Sequence, residues 1–171
     1  MTFVRSACIA AALAAATALG HGQSSVPCAN ATLNGDYAFT VTGQILAPAP
    51  AAGVVAGVTM THFNASGTFT QVDHVVHAGI PPVEEWRPGS GIYHINPDCT
   101  GYMVIYAQPA NPADASPPLR LEIVVTHDGN LIRTVVSGSP ASSLFEAAIT
   151  STGTRAPVAL PRVITLPMRF Y

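Results

Sequence analysis

The stretch LRLEIVVTHDGNLIRTVVS, Leu119 to Ser137, decides the fold class. Two runs rich in aliphatic and β-branched residues flank Asp128-Gly129, and an Asp-Gly pair between such runs is a strong hairpin signal. A turn there places these apolar side chains on one face of the hairpin: Leu121, Ile123, Val125, Ile132 and Val136. Glu122 and Arg133 fall on the opposite face, so the strands are two-sided, as the wall of a barrel or sandwich requires.

The same pattern of short β-like runs between Gly, Pro, Asn and Asp extends along the chain. The expected strands are Leu33 to Leu46, Val54 to Phe63, Thr68 to His77, Gly91 to Ile95, Tyr102 to Ala107, Leu119 to His127, Leu131 to Ser137 and Leu144 to Thr152. Val163 to Phe170 is either a last strand or a packed tail. Even spacing without a convincing amphipathic helix favours an antiparallel barrel or sandwich. We predict an all-β fold, an antiparallel eight-stranded up-and-down barrel.

Composition restricts the class of protein. The chain has 171 residues, enough for one domain with a sizeable core, and only 9% of them are charged. All basic residues are arginines, and the net charge of -2 offers no electrostatic surface for nucleic acid or an anionic membrane. Such a lightly charged chain suggests a secreted domain that associates with itself or with apolar ligands.

The N-terminal residues have the pattern of a signal peptide. Arg5 precedes a short apolar run, Ala7 to Leu19, which is too short to span a bilayer and is followed by small residues. We therefore predict a signal peptide over residues 1–22, a single barrel domain over residues 23–171, no membrane span after cleavage, and a secreted or periplasmic location. A retained N-terminal anchor is the alternative. Cys8 lies within the segment that cleavage removes.

Two cysteines then remain, Cys28 and Cys99. An even count in an exported chain predicts a disulfide, which would close a loop of about 70 residues and stabilise the fold by ~4 kcal/mol in the chain-entropy model. Free thiols or a metal site are the alternative, although two cysteines without CxxC spacing are a poor zinc signal. His74 and His77 lie at an odd spacing on a strand, so their rings point to opposite sides. His62, His94 and His127 lie near strand ends and could converge in space as metal ligands, but scattered histidines are more often surface or hydrogen-bonded residues. We predict no metal and no cofactor.

Three connections are rich in proline: Ala47 to Ala52, Ile80 to Gly89 and Gln108 to Pro118. The middle one holds Trp86, the only tryptophan, which either gates a ligand at the barrel mouth or folds onto the barrel as part of an ordered surface loop.

The barrel interior is the candidate site. Eight strands enclose space for packed side chains or for one small ligand, and both outcomes stay open. The side chains predicted to contact a ligand in the barrel or at its mouth are Tyr37, Phe39, Tyr93, Tyr102, Tyr106, Trp86, Glu122 and Arg133. The chain contains no nucleophile elbow and no glycine-rich phosphate loop, so no catalytic residues are predicted.

Three motifs in order carry a family resemblance: Leu33-Asn34-Gly35-Asp36-Tyr37-Ala38-Phe39, Phe63-Asn64-Ala65-Ser66-Gly67-Thr68-Phe69-Thr70-Gln71 and Gly91-Ile92-Tyr93-His94-Ile95-Asn96-Pro97-Asp98-Cys99-Thr100-Gly101. Together they resemble an exported bacterial family with an allene-oxide-cyclase-like barrel, related in architecture to calycins and dirigent proteins. In the middle motif Asn64 and Ala65 replace the family's Asp and Gly. The resemblance implies a small barrel that binds a hydrophobic molecule and forms oligomers. It supplies no catalytic set, because the plant cyclases' active-site residues have no position-by-position match here.

Three functions are compatible with the sequence. The favoured one is an exported barrel that binds a small hydrophobic molecule. The second is an isomerase or cyclase acting on a flexible hydrophobic substrate, which requires polar groups such as Glu122, Arg133 or Tyr106 to point into the cavity. The third is a non-catalytic oligomeric envelope or interaction protein, suggested by the low charge. Homo-oligomerisation is compatible with all three.

Overall fold

The fold is a closed antiparallel β-barrel. A computed structural model describes residues 26–108 and 117–157. Eight strands follow one another around the barrel, and the last pairs with the first. They are β1 (Asn34–Ala47), β2 (Gly53–Asn64), β3 (Thr68–His77), β4 (Arg87–Ile95), β5 (Thr100–Ala107), β6 (Leu119–Val125), β7 (Leu131–Gly138) and β8 (Glu146–Arg155). The predicted all-β, eight-stranded up-and-down barrel is confirmed.

Some predicted features lie outside the described residues. They are the signal peptide over residues 1–22, the run from Val163 to Phe170, and most of the loop from Gln108 to Pro118. Among the residues described, no helix has the length and apolar character needed to cross a membrane.

The connection predicted from Ile80 to Gly89 is shorter than expected, because β4 begins at Arg87. Pro88 lies within β4 opposite Val72 of β3, and its carbonyl accepts a hydrogen bond from the Gln108 amide at 2.9 Å. Proline lacks the backbone N–H donor but keeps its carbonyl acceptor. Pro88 can therefore pair with a neighbouring strand through its carbonyl, and β4 begins one residue before it. The assignment of Pro88 to a loop was therefore wrong.

The faces assigned to the hairpin of β6 and β7 are confirmed. Its five apolar side chains point into the barrel and are all buried: Leu121, Ile123, Val125, Ile132 and Val136. The turn is set by Asp128, whose carboxylate accepts a hydrogen bond from the Asn130 amide at 3.0 Å, and by Gly129 at a φ of 66°. The hydrogen bond from the Thr126 hydroxyl, together with that from the Asn130 amide, holds the pKa of Asp128 below its usual value.

Two interior glycines make room for aromatic rings. Phe39 lies directly opposite Gly153, and Phe69 directly opposite Gly91. A Cβ atom would lie 2.4 Å from Cε1 of Phe39 at the first glycine and 2.3 Å from Cζ of Phe69 at the second. The rings therefore lie flat over the neighbouring strand in space that any side chain would fill.

One end of the barrel, where β1 begins, is sealed by aromatic rings. The ring centroid of Phe63 lies 5.2 Å from that of Tyr37, 5.0 Å from that of Tyr93 and 5.6 Å from that of Phe69. The first two contacts are edge-to-face, the geometry that aromatic pairs prefer. We call these four rings the aromatic plug. At the opposite end, where β1 ends, the described residues form no such plug, and we call it the open end.

The predicted disulfide between Cys28 and Cys99 is present, with the two Cα atoms 5.0 Å apart. It anchors the segment before β1 across the sealed end, where the Cys28 amide also donates to the Pro97 carbonyl at 3.1 Å. In the turn that carries Cys99, the Asp98 carboxylate accepts hydrogen bonds from the amide and hydroxyl of Thr100, which lower the pKa of Asp98. The cysteine is therefore part of a turn that fastens the sealed end.

Adding one methyl group at Gly153 tests the packing of the rings. We expect Gly153→Ala to lower the free energy of unfolding by about 1–3 kcal/mol, because its Cβ overlaps the Phe39 ring. Ala38→Ser, which adds one atom on the exposed face of β1, is the control and should have little effect. Urea unfolding followed by circular dichroism measures both; equal stabilities would contradict the packing described.

Removing the disulfide tests its contribution to the sealed end. We expect Cys28→Ala/Cys99→Ala to lose about 2–5 kcal/mol of unfolding free energy while keeping the far-ultraviolet spectrum of the barrel. Reductant should bring the native chain down to a comparable stability and leave the double variant unchanged. A native chain insensitive to reductant in urea unfolding would show that the bond contributes nothing.

Candidate functional site

The open half of the barrel contains a cavity of about 360 Å³. At the roughly 30 Å³ that a water molecule occupies in the liquid, this is room for about a dozen non-hydrogen atoms. Most of its wall is apolar, formed by Phe39, Val41, Ile45, Val55, Val75, Met103, Ile105, Leu119, Leu121, Val136, Phe145 and Ile149. Among the described residues, side chains therefore fill the barrel at its sealed end and leave this space in the other half.

A set of polar side chains forms a second, distinct part of the cavity wall, on three adjacent strands. We call it the polar wall; it consists of Thr59 and Thr61 on β2, Gln71, Asp73 and His77 on β3, and Arg87 on β4. Alternation along β3 brings its three members to one face of the strand. Most polar groups of the lining are thus gathered on β2 to β4, while Thr134 on β7 and Ser151 on β8 add two hydroxyls to the otherwise apolar remainder.

An ion pair lies at the centre of the polar wall. Nη2 and Nε of Arg87 lie 2.7 Å and 2.8 Å from Oδ1 of Asp73. Nε2 of Gln71 donates to Oδ2 of the same carboxylate at 3.4 Å. Asp73 and Gln71 are buried, whereas Arg87 is partly exposed. Among the described residues of the lining, Asp73 and Arg87 are the pair with formal charges, and these charges cancel.

His77 lies nearer the open end than the ion pair, on the same face of β3. Its Nε2 atom is buried and has no hydrogen-bond partner among the described residues. The ring lies over Gly53, where a Cβ atom would come within 3.0 Å of Nε2. His74 points outward and contacts the Glu85 carbonyl at 2.6 Å, so the predicted opposite orientation of the two histidines is confirmed.

Of the predicted ligand-contacting residues, Phe39 lines the cavity. Tyr37 and Tyr93 point into the barrel but belong to the aromatic plug. The Tyr37 hydroxyl donates to the Gly129 carbonyl at 2.5 Å, and that of Tyr93 lies 2.9 Å and 3.1 Å from the Asn30 and Leu33 carbonyls. Their polar tips bind backbone at the sealed end rather than facing a ligand.

Four other predicted residues are on the outer wall: Tyr102, Tyr106, Glu122 and Arg133. The expectation that Tyr102 and Tyr106 point into the barrel was wrong, because each is one position out of phase with an inward neighbour, and strand side chains alternate. Glu122 and Arg133 lie on the outward face that the hairpin pattern predicts for them, so their predicted contact with a ligand in the cavity is wrong. Three of the four do come together in a shallow outer groove, where Arg120 pairs with Glu122 at 2.9 Å and lies 4.3 Å from the centre of the Tyr102 ring.

Trp86 lies on the outside of the barrel. Its ring packs 5.9 Å from that of His74, centroid to centroid, and the residue is 49% exposed. Of the two alternatives for the loop before β4, the ordered surface loop folded onto the barrel is the one the structure has. Trp86 does not contribute to the cavity lining.

Sequence reasoning missed the polar wall. In TFTQVDHVVH of β3, valines occur on both faces, so the pattern does not reveal which face is buried. The signal that could have found Asp73 is the odd-numbered series that begins at Phe69 and continues through Gln71 to His77. Arg87 lies in the segment that the prolines predict as a loop, so the sequence assigns it to no strand face.

One cluster has the residue types of a metal site. Nδ1 of His127 lies 3.3 Å from Sγ of Cys99 and 3.7 Å from Sγ of Cys28, and within the described ranges this is the one such cluster of His, Cys and carboxylate ligands. Both sulfurs are in the disulfide, so neither offers the thiolate that zinc requires. His62 is paired with Asp36 at 2.7 Å and does not join the cluster.

Comparison of the chain with protein-family models, with curated proteins and with solved structures finds no match.

The buried tyrosines generate a prediction about alkaline stability. Burial raises the pKa of Tyr37 and of Tyr93, so both hydroxyls lose their protons more readily in the unfolded chain. The contribution of these two tyrosines to the free energy of unfolding is fully present below a pH of about 10. It is lost as the pH rises through their folded-state pKa. We expect unfolding free energy to fall above about pH 10 and to fall less steeply in Tyr37→Phe.

The same variant should lose about 1 kcal/mol at neutral pH, because the hydrogen bond to Gly129 is removed. Tyr106→Phe, which deletes a hydroxyl on the outer wall, should keep native stability at neutral pH. Urea titrations between pH 7 and 11 measure these effects. If the free energy of unfolding of Tyr37→Phe falls above about pH 10 as steeply as that of the native chain, the Tyr37 hydroxyl is not responsible for the decrease.

Proposed function

We propose that this chain is an exported barrel protein that binds a small, mostly apolar molecule in its open half. The observation that supports this most directly is the cavity of about 360 Å³, which is lined mostly by apolar side chains and by a smaller set of polar ones. A largely apolar pocket with a few convergent polar groups is the usual form of a small-molecule site. Pockets of such sites occupy about 300–1,000 Å³, and this cavity lies at the lower end.

Export is the second part of the proposal. The Cys28–Cys99 disulfide is typical of proteins that fold in an oxidising compartment, and the signal-like N-terminal sequence agrees with it. The barrel architecture is compatible with the allene-oxide-cyclase-like family that the motifs resemble, and membership of that family is part of this proposal. Architecture alone does not assign a ligand or a reaction.

The size of the cavity sets the expected affinity. A ligand of about a dozen non-hydrogen atoms gains roughly 0.5 kcal/mol per atom, between the values for the best small fragments and for drug-sized molecules. The resulting binding free energy of about −6 kcal/mol corresponds to a Kd in the tens of micromolar. A compact aromatic probe such as butylbenzene matches this volume and can be titrated in that range.

A second candidate function is catalysis by an isomerase or cyclase. The observation that favours it is that Asp73 and His77, both capable of proton transfer, line an otherwise apolar cavity. Glu122, Arg133 and Tyr106 no longer belong to this hypothesis, because they lie on the outer wall. If Asp73 transfers a proton, the chain turns over a substrate bound in the cavity, and Asp73→Asn abolishes that turnover. The outer-wall variant Glu122→Gln should retain it.

Filling the cavity tests the binding proposal. Val136 points into the cavity and is 7% exposed, whereas its neighbour Val135 points outward and is 45% exposed. We expect Val136→Trp to weaken butylbenzene binding at least about tenfold, because the indole occupies the ligand's space, and Val135→Trp to bind normally. Isothermal titration calorimetry on both folded variants measures this. Equal affinities would place the bound probe outside the barrel.

A further inference from the structure

We infer that the ligand of the cavity is an uncharged amphiphile, a compact apolar body that carries a hydroxyl group. This inference rests on the proposed function and specifies its ligand class. The two parts of the molecule correspond to the two parts of the lining: the hydroxyl to the polar wall of β2 to β4, and the body to the apolar residues of the remaining strands.

Charge is the first reason. The carboxylate of Asp73 and the guanidinium of Arg87 are 2.7 Å apart and neutralise each other. An anionic ligand placed against this pair meets the carboxylate, and a cationic one meets the guanidinium. Either would also lose its hydration without a free counter-charge among the described lining residues, and burying an unpaired charge is expensive. The pair therefore favours a neutral ligand.

Unused hydrogen-bonding capacity is the second reason. Oδ2 of Asp73 has its contact with Gln71 at 3.4 Å, which is long for a hydrogen bond, while Arg87 binds Oδ1. A carboxylate offers about four lone-pair positions, so Oδ2 retains room for a donor. An O–H group supplies that donor, whereas a ligand carboxylate has none to give.

The same oxygen argues against a pure hydrocarbon, and this is the third reason. A hydrocarbon leaves the open positions of Oδ2 without a donor, and an unsatisfied buried polar atom costs free energy. Nε2 of His77 does not enter this argument, because it is buried against Gly53 and not exposed to the cavity.

The threonine and serine hydroxyls of the lining are already paired with each other. The hydroxyls of Thr59 and Thr61 lie 3.2 Å apart, and those of Thr134 and Ser151 lie 2.6 Å apart. These pairs make few demands on a ligand. The atom that calls for a ligand group is therefore Oδ2 of Asp73, and a single hydroxyl beside it meets the need.

Three probes with the same phenylbutyl body test the inference on the native chain. Butylbenzene carries no polar group, 4-phenylbutanol carries a hydroxyl and 4-phenylbutyrate carries a carboxylate. We expect phenylbutanol to bind about tenfold more tightly than either of the others in isothermal titration calorimetry at neutral pH. Butylbenzene binding as tightly as the alcohol, or the acid binding most tightly, would overturn the inference and leave the proposed function standing. Binding by none of the three would contradict the proposed function itself.

A charge variant supplies the second arm of the test. Asp73→Asn uncovers the Arg87 guanidinium, so the preference should move from phenylbutanol toward phenylbutyrate by about tenfold or more. Asp36→Asn, which removes the same charge from the outer wall, is the matched control and should keep the native ranking. If Asp73→Asn folds and still prefers the alcohol to the same degree, the ion pair does not select for charge and the inference fails. The native ranking decides the matter if that variant does not fold.

Discussion

The packing of Phe63 against Tyr37 and Tyr93 is the contact on which the rest of the molecule depends. An eight-stranded barrel has an interior that side chains can just fill, and here the large rings are gathered at one end. They give the disulfide-anchored segment a surface to close against. At the other end the inward side chains are mostly Val, Ile, Leu and Thr, which are too short to meet across the barrel. The cavity follows from this uneven distribution of side-chain size.

Stability alone does not explain the ion pair of Asp73 and Arg87 in the barrel interior. Burying two charges costs several kcal/mol each, and even a well-formed pair often repays no more than this cost. Here the cost is reduced because Arg87 stays partly exposed and Gln71 adds a contact. A polar arrangement at one side of an apolar cavity agrees with a role in recognition, where orientation of a bound molecule matters more than stability.

Much of the fold could be predicted from the sequence because local signals agree with one another. Asp128-Gly129 and the alternation around it assign both faces of β6 and β7, and an even cysteine count led to Cys28–Cys99. The site was harder to predict. A tyrosine such as Tyr37 has an apolar ring and a polar hydroxyl, which suit the wall of a ligand cavity and the closed end of a barrel equally well. The sequence therefore does not distinguish the two positions. Asp73 is hidden in a strand with valines on both faces, and only the three-dimensional closure of the barrel shows which face is inside.

The central claim is that the open half of the barrel is an accessible, largely apolar cavity. A crystal structure of the chain under xenon pressure tests this most directly, because xenon enters apolar cavities and is seen as strong electron density. The account predicts a xenon site between Met103, Leu121 and Val136, with the surrounding side chains unmoved. A xenon-free interior in which these side chains have closed the space would contradict it.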